Sequence, residues 1–413
     1  MTEDLFRREH ARLVSVLVAQ LGLPRLQLAE DAVQEAFVRA LQTWPYRGIP
    51  DNPPAWLTQT ARNLAFDQLR REQNWDRKQE GIGNARDLWM GSGTGEVPDP
   101  TDGFGDETLR LLFVCCHPLL SPEAQTALAL RTLCGFSPAE IAAAFLTTEA
   151  AIAKRLVRAR QRIGDLGVPF TIPGPEDLPA RLEGVLRTLY LLFNEGYRAS
   201  SGDRLVREEL CHEALRLTLQ LTAHPILHQP RSCALAALML LNAARLPARV
   251  DDAGNPLRLR EQDRTLWNVA MIQRGVEYLG LAMTGVELSE FHLEAGIAAC
   301  HSTASDDTST DWIRILAFYD QLTRMNPSPV IALNRAVALA RVQGAEAGLR
   351  SLDALALRTT LDGYLFYHAV RGTLSAEAGL GEDALLHFRR AESLATLPAE
   401  RAFLARRIAE IPR

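Results

Sequence analysis

The sequence has no run of about 18 uncharged apolar residues, which excludes a membrane-crossing helix. Its six cysteines include no Cys-x-x-Cys pair, so neither a disulfide framework nor a zinc ribbon is encoded. A reducing cytoplasm is then the simplest compartment. Alternating runs of Val, Ile and Thr are nearly absent, which argues against a sheet. The opening MTEDLFRREH is charged and does not read as a signal peptide. There is no phosphate loop, nucleophile elbow or HExxH motif. His212, His224, His228, His292 and His301 show no paired metal spacing. The expectation is a protein with no catalytic residues, no metal and no cofactor, not an enzyme. An excess of positive charge is also missing. Lys and Arg total 45 against 50 Asp and Glu, a net charge of −5, so nucleic-acid binding must come from local basic faces.

Helical periodicity rich in Ala, Leu, Arg and Glu fills most of the 413 residues, and the chain reads as all-α. At roughly 100–200 residues per domain, two or three domains are expected. The clearest break is 76–106, ending in GSGTGEVPDPTDGFGDE, which reads as a flexible acidic linker. A second break at 164–180 carries GDLGVPFTIPGPEDLP. These cuts divide the chain into 1–75, the linker 76–106, a domain at 107–165, a linker at 166–180 and a block at 181–413.

Within 107–165, Ser137-Pro138-Ala139-Glu140 is a capping box with proline at the first helical position. It starts the short helix PAEIAAAFL. A turn at Leu146-Thr147-Thr148 follows, and either threonine can cap the next helix. In EAAIAKRLVRARQRI, Ile152, Leu156, Ala159 and Ile163 fall on one stripe. Lys154, Arg155, Arg158 and Arg162 fall on the opposite side. The charge pattern alone fits a solvated bundle face equally well. Together, the box, the turn and the segregation favour a helix-turn-helix whose second helix enters the major groove. Its cations would neutralise phosphates, with Arg155 or Arg158 reaching a guanine edge.

The first domain has two amphipathic segments. In AEDAVQEAFVRALQ, Val33, Phe37, Ala40 and Leu41 point one way and Asp31, Gln34, Glu35, Val38 and Gln42 the other. The second face suits water or a basic partner helix. In NPPAWLTQTARNLAFDQLRREQ, most of Trp56, Leu57, Ala61, Leu64, Ala65 and Leu69 must be core. Arg62, Asn63, Asp67, Arg70 and Arg71 interrupt them. Trp56 reads either as a core tryptophan or as an exposed ring that stacks on an unpaired base.

The order EDAVQEAF, WLTQTARNLAFDQLRR, acidic linker, LSPEAQTALALRTLCGFSPAEIAAAFLTTEAAIAKRLVRARQRI resembles the extracytoplasmic-function type of bacterial RNA polymerase sigma factor. The resemblance covers about residues 5–165. LYLLFNEGYRAS, REELCHEALRL, EQDRTLW and SPVIALNRAVALA resemble the subgroup with a long TPR-like helical extension thought to regulate the sigma core in cis. The resemblance implies a region 2-like domain at 1–75 and a region 4-like domain at 107–165. The implied partners are core RNA polymerase, through its β′ clamp helices and β flap, and promoter DNA. Asp31, Gln34 and Glu35 would face the clamp helices. Trp56, Arg62, Asn63, Asp67, Arg70 and Arg71 would melt and read the −10 element. Thr148, Lys154, Arg155, Arg158 and Arg162 would belong to the −35 reader. Ala153 stands where a lysine is common in the family, and AFLTTEA departs from the usual turn, so the base preference does not carry over. The alternative is a one-component helix-turn-helix regulator with a helical sensor domain, which would not need the first domain.

The block 181–413 reads as helical hairpins. Ala384, Phe388 and Ala391 follow Gly372 at the small-small-aromatic-small spacing of a tetratricopeptide repeat. RAVALARVQGAEAGLRSLDAL repeats the theme about 37 residues upstream, Gly344 to Gly381 and Ala347 to Ala384. Ordinary hairpin packing explains the small residues nearly as well. Asn194, Glu195 and Tyr197 in FNEGYRAS either cap a helix end or make a regulatory contact with a protein, a small-molecule signal or the sigma core. Cys115-Cys116-His117 lies beside Leu111, Leu112 and Phe113, and buried packing is expected there.

Overall fold

The starts of five helices in the first half are written in their capping chemistry. Asn52 accepts from the Ala55 N–H at 3.1 Å ahead of Pro53-Pro54. Asp106 accepts from Thr108 and Leu109, and Ser121 accepts from Ala124 ahead of Pro122. Ser137 and Glu140 close the expected capping box, with Pro138 pre-set for the first turn. Thr148 accepts from the Ala151 N–H at 3.3 Å. Each cap satisfies an amide that the helix itself leaves without a partner.

The computed structural model describes residues 3–79, 106–145, 147–165, 174–200, 204–355 and 361–411. Most of the first expected linker, part of the second, and Leu146 of the expected turn lie outside them. Among the described residues there are eighteen α-helices and no β-strand. An isolated antiparallel bridge joins Val250 and Pro256. The chain divides into two compact units, Met1–Leu192 and Phe193–Arg413.

The first unit begins with α1 (Glu3–Leu21), α2 (Leu26–Arg47) and α3 (Pro53–Gln79). It continues with α4 (Glu107–Cys115), α5 (Pro122–Cys134), α6 (Pro138–Ala144) and α7 (Glu149–Asp165). The expected stripes form the core: Val33, Phe37 and Ala40 of α2, Leu57, Ala61 and Ala65 of α3, and Ile152, Leu156, Ala159 and Ile163 of α7 are buried. Leu41 departs from the expectation, being 57% exposed. At about 100° per residue it lies about 80° around the helix from Val33, on the rim of the apolar stripe. Helix α8 (Leu178–Tyr197) starts within this unit. Its Arg181 donates to the Phe113 carbonyl at 3.1 Å, and Gly184 admits the Gln125 side chain and the Cys116 sulfur. A methyl group at Gly184 would lie 2.3 Å from Gln125 Oε1 and would have to turn that amide away from the His117 and Leu120 carbonyls to which it donates. Cys115 and Cys116 are buried as expected. Burial pushes the Cys116 thiol up to about 12, against a smaller opposing effect from a Thr188 hydrogen bond, and raises Cys115 as well.

In the second unit, α9 (Glu208–Ala223), α10 (Pro230–Ala243), α11 (Val269–Ala282) and α12 (Glu290–Thr303) come first. Next are α13 (Trp312–Met325), α14 (Pro329–Gln343) and α15 (Ala345–Asp353). The last three are α16 (Leu365–Glu377), α17 (Gly381–Leu394) and α18 (Pro398–Ala409). From α12 onward, neighbours in sequence pack on one another in a TPR-like series of hairpins. The repeat residues do what their sizes suggest. Phe388 is fully buried between Ala384 and Ala391, and an added methyl at Gly372 would sit 2.9 Å from its ring.

Candidate nucleic-acid interface

The second helix of the helix-turn-helix, α7, buries an apolar stripe and exposes its cations, with Val157 exposed among them. Its four buried residues are the apolar stripe, and Lys154, Arg158 and Arg162 are exposed. Among the described residues no carboxylate lies within ion-pair distance of these three cations. Such charges are free to meet phosphates and so release the counterions condensed on DNA. Arg155 is half-buried, with its guanidinium 5.8 Å from the centre of the Phe145 ring. Thr148 is exposed and spends its hydroxyl on the N-cap.

Helix α3 presents a second polar face. Arg62, Asn63, Asp67, Arg70 and Arg71 are all exposed. Asn63 accepts from Gln59 at 3.0 Å, and Arg70 pairs with Asp67 at 3.6 Å. Trp56 is half-buried, its ring edge-on to Trp44 with centroids 5.5 Å apart. It is therefore neither wholly core nor free. One flank is fixed by Trp44, as aromatic pairs prefer.

On α2, Asp31 and Glu35 are exposed and Gln34 is half-buried. Gln27 donates to Asp31 at 2.7 Å, and Arg39 pairs with Glu35 at 3.2 Å. Beside them Val38 and Leu41 expose apolar surface, followed by Tyr46 and Ile49. The face is acidic with an apolar margin.

The sequence reading passed over the group that joins these elements. Glu30 on α2 is 2% exposed. It accepts from the Thr132 hydroxyl of α5 at 2.7 Å and from Arg160 of α7 at 2.6 Å. It thus ties the first three helices to the helix-turn-helix, where α1 also packs on α4 and α5. A signal was present: Glu30 follows Ala29 and precedes Val33 inside an apolar stripe, where an unpaired carboxylate would be costly. Arg160 likewise stands off the basic face of Lys154, Arg158 and Arg162.

In the second unit, Glu195 is buried. It accepts from Arg207 at 3.2 Å and from the Ser200 N–H and hydroxyl at 2.9 and 3.1 Å. Asn194 is exposed. The Tyr197 hydroxyl accepts from Arg245 at 2.6 Å. FNEGYRAS therefore holds the end of α8 through Glu195 and places Tyr197 among arginines.

Residues 5–75 match the sigma-70 region 2 family, and residues 110–163 match sigma-70 region 4. Residues 181–283 match a family of unknown function, DUF6596. An uncharacterized protein of Rhizobium meliloti (strain 1021) is 40% identical over 384 residues, covering 92% of this chain and 89% of that protein. No solved structure gives a significant match.

Proposed function

We propose, for a chain that belongs to the sigma-70 family as an extracytoplasmic-function-like sigma factor with a helical C-terminal extension, a division of labour among three helices. A sigma factor acts in transcription initiation by binding core RNA polymerase and promoter DNA. Helix α2 offers Asp31, Gln34 and Glu35, with the apolar margin of Val38 and Leu41, to the β′ clamp helices. Helix α3 captures unpaired bases of the −10 element with Arg62, Asn63, Asp67, Arg70 and Arg71, and Trp56 braces its start. Unstacking DNA costs a few kcal/mol per step, which stacking and hydrogen bonding to extruded bases offset. Helix α7 lies in the major groove at the −35 element, with Lys154, Arg155, Arg158 and Arg162 on phosphates and base edges and Thr148 at its leading end. The β flap is the partner expected for the helix-turn-helix domain, and the extension acts on the sigma core in cis. The observation that carries this reading is the unpaired basic face of α7 opposite a wholly apolar stripe.

The two promoter elements are separated by about 25 positions, roughly 85 Å at 3.4 Å per base pair. Glu30 and Arg160 touch at 2.6 Å. The two modules must therefore part to occupy both elements, and the packed form is the one that precedes polymerase. The experiment is run-off transcription with core polymerase on a promoter selected from random DNA, comparing the full chain with 1–192. The cut belongs after Leu192 because the start of α8 packs on α4 and α5. Greater activity of the short form makes the extension an inhibitor, and loss of activity makes it a required element. If neither form initiates while the full chain still binds duplex DNA, the sigma reading fails and the one-component regulator replaces it.

A further inference from the structure

Three arginines of the second unit lie close together with no carboxylate partner among the described residues. Arg245, 9% exposed, donates to the Tyr197 hydroxyl at 2.6 Å and to Asn242 at 3.0 Å, both neutral. The Arg249 guanidinium lies 3.7 Å from the centre of the Tyr197 ring. Arg264 donates to the carbonyls of His301 and Ala304 at 2.8 and 2.6 Å. Its guanidinium is 4.5 Å from the Trp267 ring centre, and that of Arg245 is 5.9 Å from the same centre. Arginine and aromatic ring thus alternate as Arg249, Tyr197, Arg245, Trp267, Arg264. Arg245 Nε, Arg249 Nε, Arg264 Nη2, Trp267 Nε1 and His301 Nδ1 are all buried without a hydrogen-bond partner among the described residues.

Arg245 is buried and Arg249 and Arg264 are half-buried, and holding cations this way is costly unless an anion joins them. The same unit shows the paired alternative in Arg207, which meets Glu195 at 3.2 Å and Glu209 at 3.8 Å. Asp306 and Asp307 are the acids nearest Arg264, yet neither forms an ion pair with it among the described residues. Asp306 is instead occupied in its own turn by Thr308 and Ser309. The neighbourhood responds as a positive field should. Burial, then Arg245 and Arg264, push the His301 imidazole down to about 3. Burial would raise the Tyr197 phenol, but Arg245 and Arg249 together bring it below its ordinary value.

Arg264 and Trp267 also line an open groove of about 650 Å³. Its other wall is α11, where Val269 and Val276 are 63% and 43% exposed and Ile272 lies between them. Glu277 stands on that wall too, which disfavours a ligand with dispersed or multiple negative charge. A single anionic head at Arg264 and an apolar tail along α11 satisfy both walls.

The geometry points to a binding site for a monoanionic amphiphile, a medium-chain carboxylate, with its head at Arg264 beside Trp267 and its tail on Val269, Ile272 and Val276. Binding stands on this geometry alone; only an effect on transcription rests on the sigma-factor reading. The test is calorimetric titration of the full chain with octanoate, acetate, octylamine and inorganic phosphate, without polymerase. Each methylene that leaves water multiplies affinity by about fourfold. With half of the tail buried, octanoate should bind on the order of a hundredfold more tightly than acetate. Octylamine should not bind. Arg264→Gln should weaken octanoate at least about tenfold, as loss of a charged hydrogen bond does. Arg264 also ties two carbonyls, so two exposed positions guard against misfolding. Val276→Asp should abolish binding, and Glu277→Gln should leave it equal or tighter. Octanoate that does not bind, or binds no better than acetate, overturns the proposal. So does equal binding of octylamine, tighter binding of phosphate, or indifference to Val276→Asp. A transcription assay that fails while octanoate still binds would count against the sigma reading and not against the site.

Discussion

Replacing Glu30 with alanine should loosen the helix-turn-helix from the first three helices. The carboxylate is buried and holds two groups, the Thr132 hydroxyl at 2.7 Å and the Arg160 guanidinium at 2.6 Å. Removing one member of a buried ion pair costs about 3–5 kcal/mol, because the other charge stays buried alone. The Arg160 side chain is 19% exposed and can recover some water, which places the loss near the lower end. Thr132 is fully buried and loses its acceptor as well, which keeps the loss from falling below that end. About 3 kcal/mol, net of relaxation, corresponds to roughly a hundredfold in the opening equilibrium. Native-state hydrogen exchange reads it directly, under conditions where reclosing outpaces exchange. Amides of α5 around Thr132 and of α7 around Arg160 should exchange roughly a hundredfold faster, while those of α14 to α18 keep their rates. The double change with Arg160→Ala should be no worse than Glu30→Ala alone, since the second charge is then gone too. Unchanged protection at α5 and α7, or full additivity of the pair, would refute the reasoning.

Four further outcomes are expected. Arg158→Ala should weaken promoter binding and lower the salt slope of log K by about 0.9, one phosphate's share; identical slopes would remove α7 from the DNA. Asp31→Lys with Glu35→Lys should abolish capture of core polymerase with an unchanged melting curve, because both positions are exposed; retained capture would clear α2 of docking. Gly372→Ala forces a methyl to 2.9 Å from Phe388, an overpacking cost of about 1–3 kcal/mol against a helix-propensity gain of about 1, so thermal unfolding should show a net loss of about 1 kcal/mol. Cys115 and Cys116, held protonated by burial, should react with a thiol reagent only after denaturation, and rapid labelling of the native chain would contradict their burial.

Much of the first unit was legible because its signals are local. Caps at Ser137 and Thr148 depend on residues three apart, and the α7 stripe depends on a period of 3.6. Leu41 was misread because it sits on the rim of its stripe, where neighbours in space decide burial and the period does not. Glu30 was missed for a related reason. Its partners are 102 and 130 residues away, and no window along the chain brings them together. The tetratricopeptide spacing was readable at Gly372 and Phe388, since small and large residues at fixed offsets must interlock. The arginine ladder was not, because Tyr197, Arg245, Arg249, Arg264 and Trp267 come from three separate segments.

The hairpins of the second unit divide their apolar residues by neighbourhood. Leu333, Leu352 and Leu374 share one cluster, Ala384, Phe388 and Leu404 another, and Leu293, Ile315 and Leu322 a third. In such an array stability is approximately a chain of intrinsic terms and nearest-neighbour couplings, as in a one-dimensional lattice. A defect therefore travels only as far as the next coupling. The final pair, α17 and α18, is not a loose end: buried Glu400 of α18 pairs with Arg198, just after α8, and Arg406 pairs with Asp251 at 3.4 Å, so the last hairpin is also tied to the beginning of the unit. Damage at this end removes two couplings at once, one along the array and one across to Arg198 and Asp251, and should be felt at both.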